Sequence, residues 1–287
     1  MTIAKILVPV SGALSDGLAL AAAMVAARPF AAHVQALYVP QDPRYAIPYV
    51  GAPIDPSAID SIEKAIAETN RQASKRAQEA LAAAAKLEGA TLVKQPERKD
   101  RVTCSFKEDM GFFALRTGLY ARLSDLVVFS SLGPDVFSEA NEAFVETLIR
   151  TERPVLVVPT VPVSLTGKVC IAWDGSSPCA HALTTSMPFL RHSQKVELLE
   201  IDPVRGNGVP ASDAKDFLAL HQVVSDIRRV KREDQRTAEA IMHAAHDGGA
   251  DLLVMGAYGH NRFAEAVLGG VTTEIKWHAK LPVLMAH

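Results

Sequence analysis

The stretch Asp251-Leu-Leu-Val-Met-Gly-Ala-Tyr-Gly-His-Asn-Arg-Phe-Ala-Glu-Ala-Val-Leu-Gly-Gly-Val-Thr-Thr273 decides the fold. An apolar run of strand length ends in Gly256, Gly259 follows three residues later, and after nine more residues Gly269-Gly270-Val271-Thr272 opens an amphipathic segment. A strand that turns through glycines into a helix suits an anion. Without a Cβ the backbone N–H groups can approach phosphate oxygens, and the unpaired amides of a helix start add positive potential. The plainer reading is a tight strand-to-helix turn.

A repeat runs through the chain. Lys5-Ile-Leu-Val-Pro-Val-Ser-Gly12 and Lys168-Val-Cys-Ile-Ala-Trp-Asp-Gly175 are each a lysine, five strand-like residues, a polar residue and a glycine. Alanine-rich amphipathic segments follow, at 17–27 and 180–190, then second strands at 34–39 and 196–201. Asp125-Leu-Val-Val-Phe129 parallels Asp251-Leu-Leu-Val-Met255, and Arg153–Val158 parallels Leu281–Ala286. Short apolar strands alternating with helices predict an α/β fold: two tandem doubly wound parallel-sheet domains, each β-α-β-α-β-α-β-α-β, with ligand crevices beyond the carboxyl ends of the strands. The Pro- and turn-rich connector 159–167 divides the chain into domains 1–160 and 161–287.

The Gly-x-x-Gly-(nine residues)-Gly pattern of Gly256, Gly259 and Gly269, carried on this doubled framework, resembles the universal stress protein family, and the resemblance extends over nearly the whole chain. Gly270 stands where nucleotide-binding members place Ser or Thr, while Thr272 matches the later hydroxyl. The resemblance implies a stress-response sensor or regulator that binds ATP, with or without Mg²⁺, or another adenine nucleotide. Ala172, Trp173, Asp174 and Ile201 would hold the adenosine. Met255, Gly256, Gly259, Gly269, Gly270, Val271 and Thr272 would hold the phosphates. It also implies pairing of the two halves through 153–158 and 281–286 as an internal pseudo-dimer, and leaves a further homodimer open.

His260 and Arg262, within the cradle loop, are candidate phosphate partners, although an exposed loop is also where solvated charges sit. Asp174, at the end of a strand, can accept from a ribose hydroxyl or cap the next helix with Gly175 and Ser176. The halves are unequal. Aligning Asp125 on Asp251 sets Ser130, Gly133, Ala143 and Phe144 against Gly256, Gly259, Gly269 and Gly270, so the motif survives only in the second half. The segment 40–57, with five prolines, has the length of a lid or binding loop, and 61–87 reads as one long helix. A decayed site with a small-molecule pocket under that loop is the alternative function.

Catalysis has little support. Ser11-Gly-Ala-Leu-Ser-Asp16 resembles the Ser-Gly-Gly-x-Asp-Ser pyrophosphate loop of ATP-dependent adenylating enzymes but departs at Ala13 and in the order Ser15-Asp16. His243 and His246, one turn apart, lack a third metal ligand at recognisable spacing. The 287 residues are 48% hydrophobic with a net charge of −2, so no basic field favours nucleic acid, and no apolar run or leader pattern points to a membrane. Cytoplasmic location is the expectation. Cys104, Cys170 and Cys179 are too scattered for a disulfide framework. Core roles are expected for all three, with Cys179 near a helix start where a thiolate is favoured.

Overall fold

The computed structural model describes residues 2–43, 56–135, 138–201, 208–232, 234–258 and 270–287. Its strands are β1 Lys5–Val10, β2 His33–Tyr38, β3 Thr91–Leu92, β4 Thr103–Glu108, β5 Leu126–Ser130 and β6 Val155–Val158, then β7 Lys168–Ala172, β8 Lys195–Ile201, β9 Ser225–Val230, β10 Leu252–Gly256 and β11 Val283–Ala286. Between them lie helices α1 Asp16–Ala27, α2 Pro56–Glu88, α3 Phe113–Ala121 and α4 Glu139–Val145, then α5 Ser177–Leu190, α6 Ala211–Leu220, α7 Thr237–Asp247 and α8 Gly270–His278. A π-helical turn, Glu146–Arg150, continues α4.

Among the described residues the strands form one sheet in the order β3-β4-β2-β1-β5-β6-β11-β10-β7-β8-β9. The two halves are mirror-ordered. Every pairing is parallel except β6 with β11, which is antiparallel and sets Val155 opposite Met285 and Val157 opposite Val283. The expected internal pseudo-dimer is therefore a single continuous sheet. One difference from the expected order appears in the amino-terminal half, where the chain after α2 adds the two-residue strand β3 at the edge of β4 before β4 itself begins.

Alternating strand residues divide between two cores, one on each face. Ile6, Val8, Val128, Val254 and Leu284 belong to the first, and Leu7, Val127, Leu253, Val283 and Met285 to the second. This two-sided burial explains why the strands read as continuously apolar runs. The repeated aspartates fix the strand register. Asp125 Oδ2 accepts the backbone N–H groups of Ala4 and Lys5 at 2.8 and 2.9 Å, and Asp251 Oδ2 accepts that of Lys168 at 2.7 Å. Each carboxylate thus ties the start of the fourth repeat strand to the start of the first. At Gly167 a Cβ would fall 2.2 Å from Asp251 Oδ2, so the residue before β7 has room only for hydrogen.

Side chains join the halves on both faces. On one, Phe30 and Phe189 meet edge to face with ring centres 5.3 Å apart. On the other, Lys276 of α8, only 2% exposed, donates from Nζ to Asn141 Oδ1 of α4 at 2.5 Å and lies 5.1 Å from the centre of the Phe144 ring. Asn141 in turn donates to the carbonyls of Gly133 and Asp135 at 3.0 and 2.6 Å, so the lysine grips the loop after β5 through it. Its partner is a neutral amide oxygen, and burial pushes the ammonium down from 10.5 to about 8.

The sign of the pH effect follows. Between about pH 8 and 10.5 the unfolded chain holds a proton on Lys276 that the folded chain has released, so stability rises with pH across that window. Below pH 8 both states are protonated and the full cost of burying the charge is present. Chemical denaturation of wild type against Lys276→Met should show an alkaline gain of up to about 3 kcal/mol in the wild type that the variant lacks. Parallel pH profiles for the two proteins would mean that the amine reaches water.

Candidate functional site

In the carboxyl-terminal half the chain runs outward from β7 to β8 and β9, then returns to place β10 on the other side of β7. The strand order reverses between β7 and β10, and there a doubly wound sheet opens a crevice beyond its strand ends. Met255 pairs with Ala172, so Gly256 and Ala257 leave the sheet beside Trp173 and Asp174. The amino end of α8 is tied to the same place, because the N–H of Tyr258 donates to Thr272 Oγ1 at 3.5 Å. The turn after β10 thus joins α8 to the end of the strand that pairs with β7, the strand Asp174 follows. Gly259, His260, Arg262 and Gly269 lie outside the described residues, as does 44–55 of the Pro-rich segment.

The described site residues have distinct roles. Asp174 is exposed, and its Oδ1 accepts the N–H of Ser176 at 2.9 Å. Ser176 is the cap of α5, accepting from Cys179 N at 3.4 Å. A carboxylate has further acceptor sites, so the turn uses only part of Asp174. Trp173 departs from its expected role as a ligand contact. Its indole is 5% exposed, packs in the first core and donates from Nε1 to Val209 O at 2.9 Å. Ala172, Ile201, Val271 and Tyr258 are partly buried and pack against the second core, to which the buried Met255 belongs.

The two described cradle glycines also differ. At Gly256 a Cβ would stand 2.5 Å from Cys179 N and 2.7 Å from Pro178 C, so its space is filled by the start of α5 rather than left open for a phosphate. Gly256 is needed for close packing of helix on strand. At Gly270 a Cβ would meet nothing within 4 Å among the described residues, and the residue is exposed. Thr272 is 4% exposed with its hydroxyl engaged by Tyr258 N, so it holds the turn. Tyr258 adopts φ of 60°, and its buried hydroxyl has no hydrogen-bond partner among the described residues. No sequence signal singled it out, since a left-handed tyrosine is unusual and only the turn imposes it.

Gly175 and Gly12 mark the same bend in the two halves, with φ of 74° and 82°. Added Cβ atoms would meet Val209 O at 2.5 Å and Ala73 O at 2.6 Å. Beyond Gly12 the halves part. Asp16 Oδ2 accepts the N–H groups of Ser11 at 3.0 Å and Gly12 at 2.6 Å, and the residue is 6% exposed. The protein's own carboxylate thus occupies the place in this loop where an adenylating enzyme would bind pyrophosphate. Burial raises the pKa of Asp16, while the N–H bonds oppose that rise. Alignment of Gly12 on Gly175 sets Cys179 at the position of Asp16. Its thiol is 1% exposed, donates to Ala172 O at 2.9 Å and is pushed up to about 12 by burial, in keeping with the core role expected of it rather than a thiolate.

Residues 166–287, in the carboxyl-terminal half, match the model of the universal stress protein family. A universal stress protein of Synechocystis is 32% identical over 150 residues, which cover 50% of each chain. The chain thus spans about half the length of this curated relative. Among solved structures, a universal stress protein from Archaeoglobus fulgidus superposes with a TM-score of 0.60 at 13% identity, covering 98% of this chain and 95% of that one. A candidate universal stress protein from Pseudomonas aeruginosa gives 0.56 at 15%, covering 99% and 93%. At such identities the two structures bear on the fold alone, and they extend the likeness over both halves.

The glycines give a direct test. Gly256→Ala should destabilise the protein by about 1–3 kcal/mol, because backbone stands where the methyl must go. Gly270→Ala should lie within about 0.5 kcal/mol of wild type or slightly above it. Urea midpoints of the two variants measure the difference, and equal midpoints would show that α5 yields to a Cβ.

Proposed function

We propose that the chain is a tandem universal stress protein that binds ATP or a related adenine nucleotide in its carboxyl-terminal half and acts as a cytoplasmic stress sensor or regulator. The observation that carries this reading is the strand-order reversal between β7 and β10, where Asp174 follows β7 and the turn after β10 is tied to α8 through Thr272, with Gly270 at the head of that helix. The amides of Gly270 and Val271 and the helix dipole suit phosphate oxygens. Ala172, Ile201 and Val271 supply an apolar wall for a base, and Asp174 an acceptor for ribose hydroxyls. Gly259, His260, Arg262 and Gly269 complete the set as the sequence reads it. The family match over 166–287 supports the same half.

Residues of this kind bind ground state and transition state about equally, so the reading is of a binder with at most slow hydrolysis. The adenylating alternative loses its loop to Asp16. Among the described residues no helix is long and apolar enough to cross a membrane. A second reading, small-molecule binding in the amino-terminal half, is favoured by a groove of about 460 Å³ beyond β2 and β4, lined by Pro40, Asn70, Arg71, Ser74, Lys75 and Glu108.

Titration calorimetry with ATP should give one site per chain, and Gly270→Ser should tighten it by about 0.5–1.5 kcal/mol through an added hydroxyl donor. Two equal sites, or loss of binding in Asp16→Asn with Asp174→Asn unaffected, would move the nucleotide to the other half. No heat with ATP but saturable binding of another metabolite would favour the groove.

A further inference from the structure

The groove beyond β2 and β4 is made of residues in which the amino-terminal half departs from its sister. In the second half the crevice ends of the corresponding strands pair Ile201 with Val230, whereas the same register in the first sets Tyr38 beside Glu108. The fold therefore does not require an acid at the end of β4. The helix between those strands differs as well. Helix α6 has ten residues, while α2 has 33 and is pinned to the strand ends from its middle. Tyr38 Oη donates to Asn70 O at 3.1 Å, Asn70 Nδ2 donates to Gln41 O at 2.7 Å, and Ser74 Oγ donates to Glu108 Oε2 at 2.8 Å. These bonds hold helix and strand ends around a groove of about 460 Å³.

The lining carries both signs of charge. Arg71 and Lys75 project from α2 one turn apart and are exposed. Glu68 holds one edge of the guanidinium and Glu79 stands 3.9 Å from the ammonium, so both cations keep further donors. On the strand side Glu108 keeps Oε1, since Ser74 takes only Oε2. Pro40, Ala67 and Met110 add apolar lining. We propose that this groove binds a zwitterion of the amino acid class, an apolar amino acid or dipeptide. Its ammonium meets Glu108, its carboxylate meets Arg71 and Lys75, and its side chains lie on Pro40, Ala67 and Met110. The proposal rests on the reading of this groove as a small-molecule site and is independent of a nucleotide in the other half. A simple anion would meet the cations but also Glu108, and a polyamine would meet the reverse conflict. A molecule with both charges satisfies both sides, and the volume lies within the range of small-molecule sites.

Titration of the full chain with leucyl-leucine, followed by amide NMR, should shift Ser74, Gln78 and Met110 saturably with a Kd on the order of 0.1–1 mM. N-acetyl-leucyl-leucine lacks the ammonium and leucyl-leucinamide lacks the carboxylate. Each should bind about threefold to fivefold more weakly, the worth of a solvent-exposed ion pair. Protein variants complete the cycle. Glu108→Gln, which keeps an oxygen for Ser74, should bind the free and acetylated dipeptides equally. Arg71→Ala combined with Lys75→Ala should bind the free and amidated dipeptides equally. All three positions are exposed, so circular dichroism should stay unchanged. Undiminished discrimination in these variants, or shifts confined to another part of the chain, would overturn the proposal. Absence of saturation would do so too, and a panel of sugars, polyols and polyamines then separates the two premises. Groove amides that respond to one of these keep the small-molecule site and reject the zwitterion, whereas no response rejects the site itself.

Discussion

The antiparallel pairing of β6 with β11 is the constraint on which the architecture rests. Each half alone would end in a strand of four apolar residues, Val155–Val158 or Val283–Ala286, buried on both faces and with one edge unpaired. Such an edge is an aggregation site unless covered. Joining the two edges satisfies both rows of N–H and C=O groups and lets each core continue into the other half. Phe30 against Phe189 on one face and Lys276 against Asn141 on the other then depend on that junction. A buried ammonium paired with an amide is not a strong stabiliser. It fits only the arrangement in which α4 and α8 are apposed, so it favours one alignment of the halves over others.

The two halves share one strand order but differ by a few residues at equivalent places. At the bend after the first strand both keep a glycine with positive φ, because backbone from elsewhere crosses within 3 Å of where a Cβ would stand. Four residues on, Asp16 turns its carboxylate onto the loop amides of the first half, whereas Cys179 in the second gives its thiol to a strand carbonyl. In the first half the anion is built in. In the second the acid is Asp174, exposed at the strand end, with its Oδ1 accepting the N–H of Ser176.

The glycine motif shows how far a local pattern reaches. Gly256 and Gly270 belong to one signature, yet one is fixed by the approach of α5 and the other faces open space. Their spacing in sequence is the same evidence for both, and nothing local separates packing from exposure. Trp173 carries a similar lesson. Its place at a strand end suggested a ligand contact, but Val209, 36 residues later, supplies the carbonyl that turns the indole inward. Tyr258 escaped notice because its φ of 60° is imposed by the turn that Thr272 closes.

The sequence by itself determined the α/β class, the doubling of the chain and the confinement of the glycine motif to the second half. These follow from local signals: hydrophobic period, punctuation by Gly and Pro, and repetition of Lys–Asp–Gly landmarks whose hydrogen bonds hold the same strand starts together. Tertiary structure alone decided which glycines are open, which acid caps its own loop, that Lys276 is buried against the other half, and that α2 is pinned to the ends of β2 and β4. Each of these depends on a neighbour distant in sequence, and the free energy of a side chain is set by what surrounds it rather than by what precedes it in the chain.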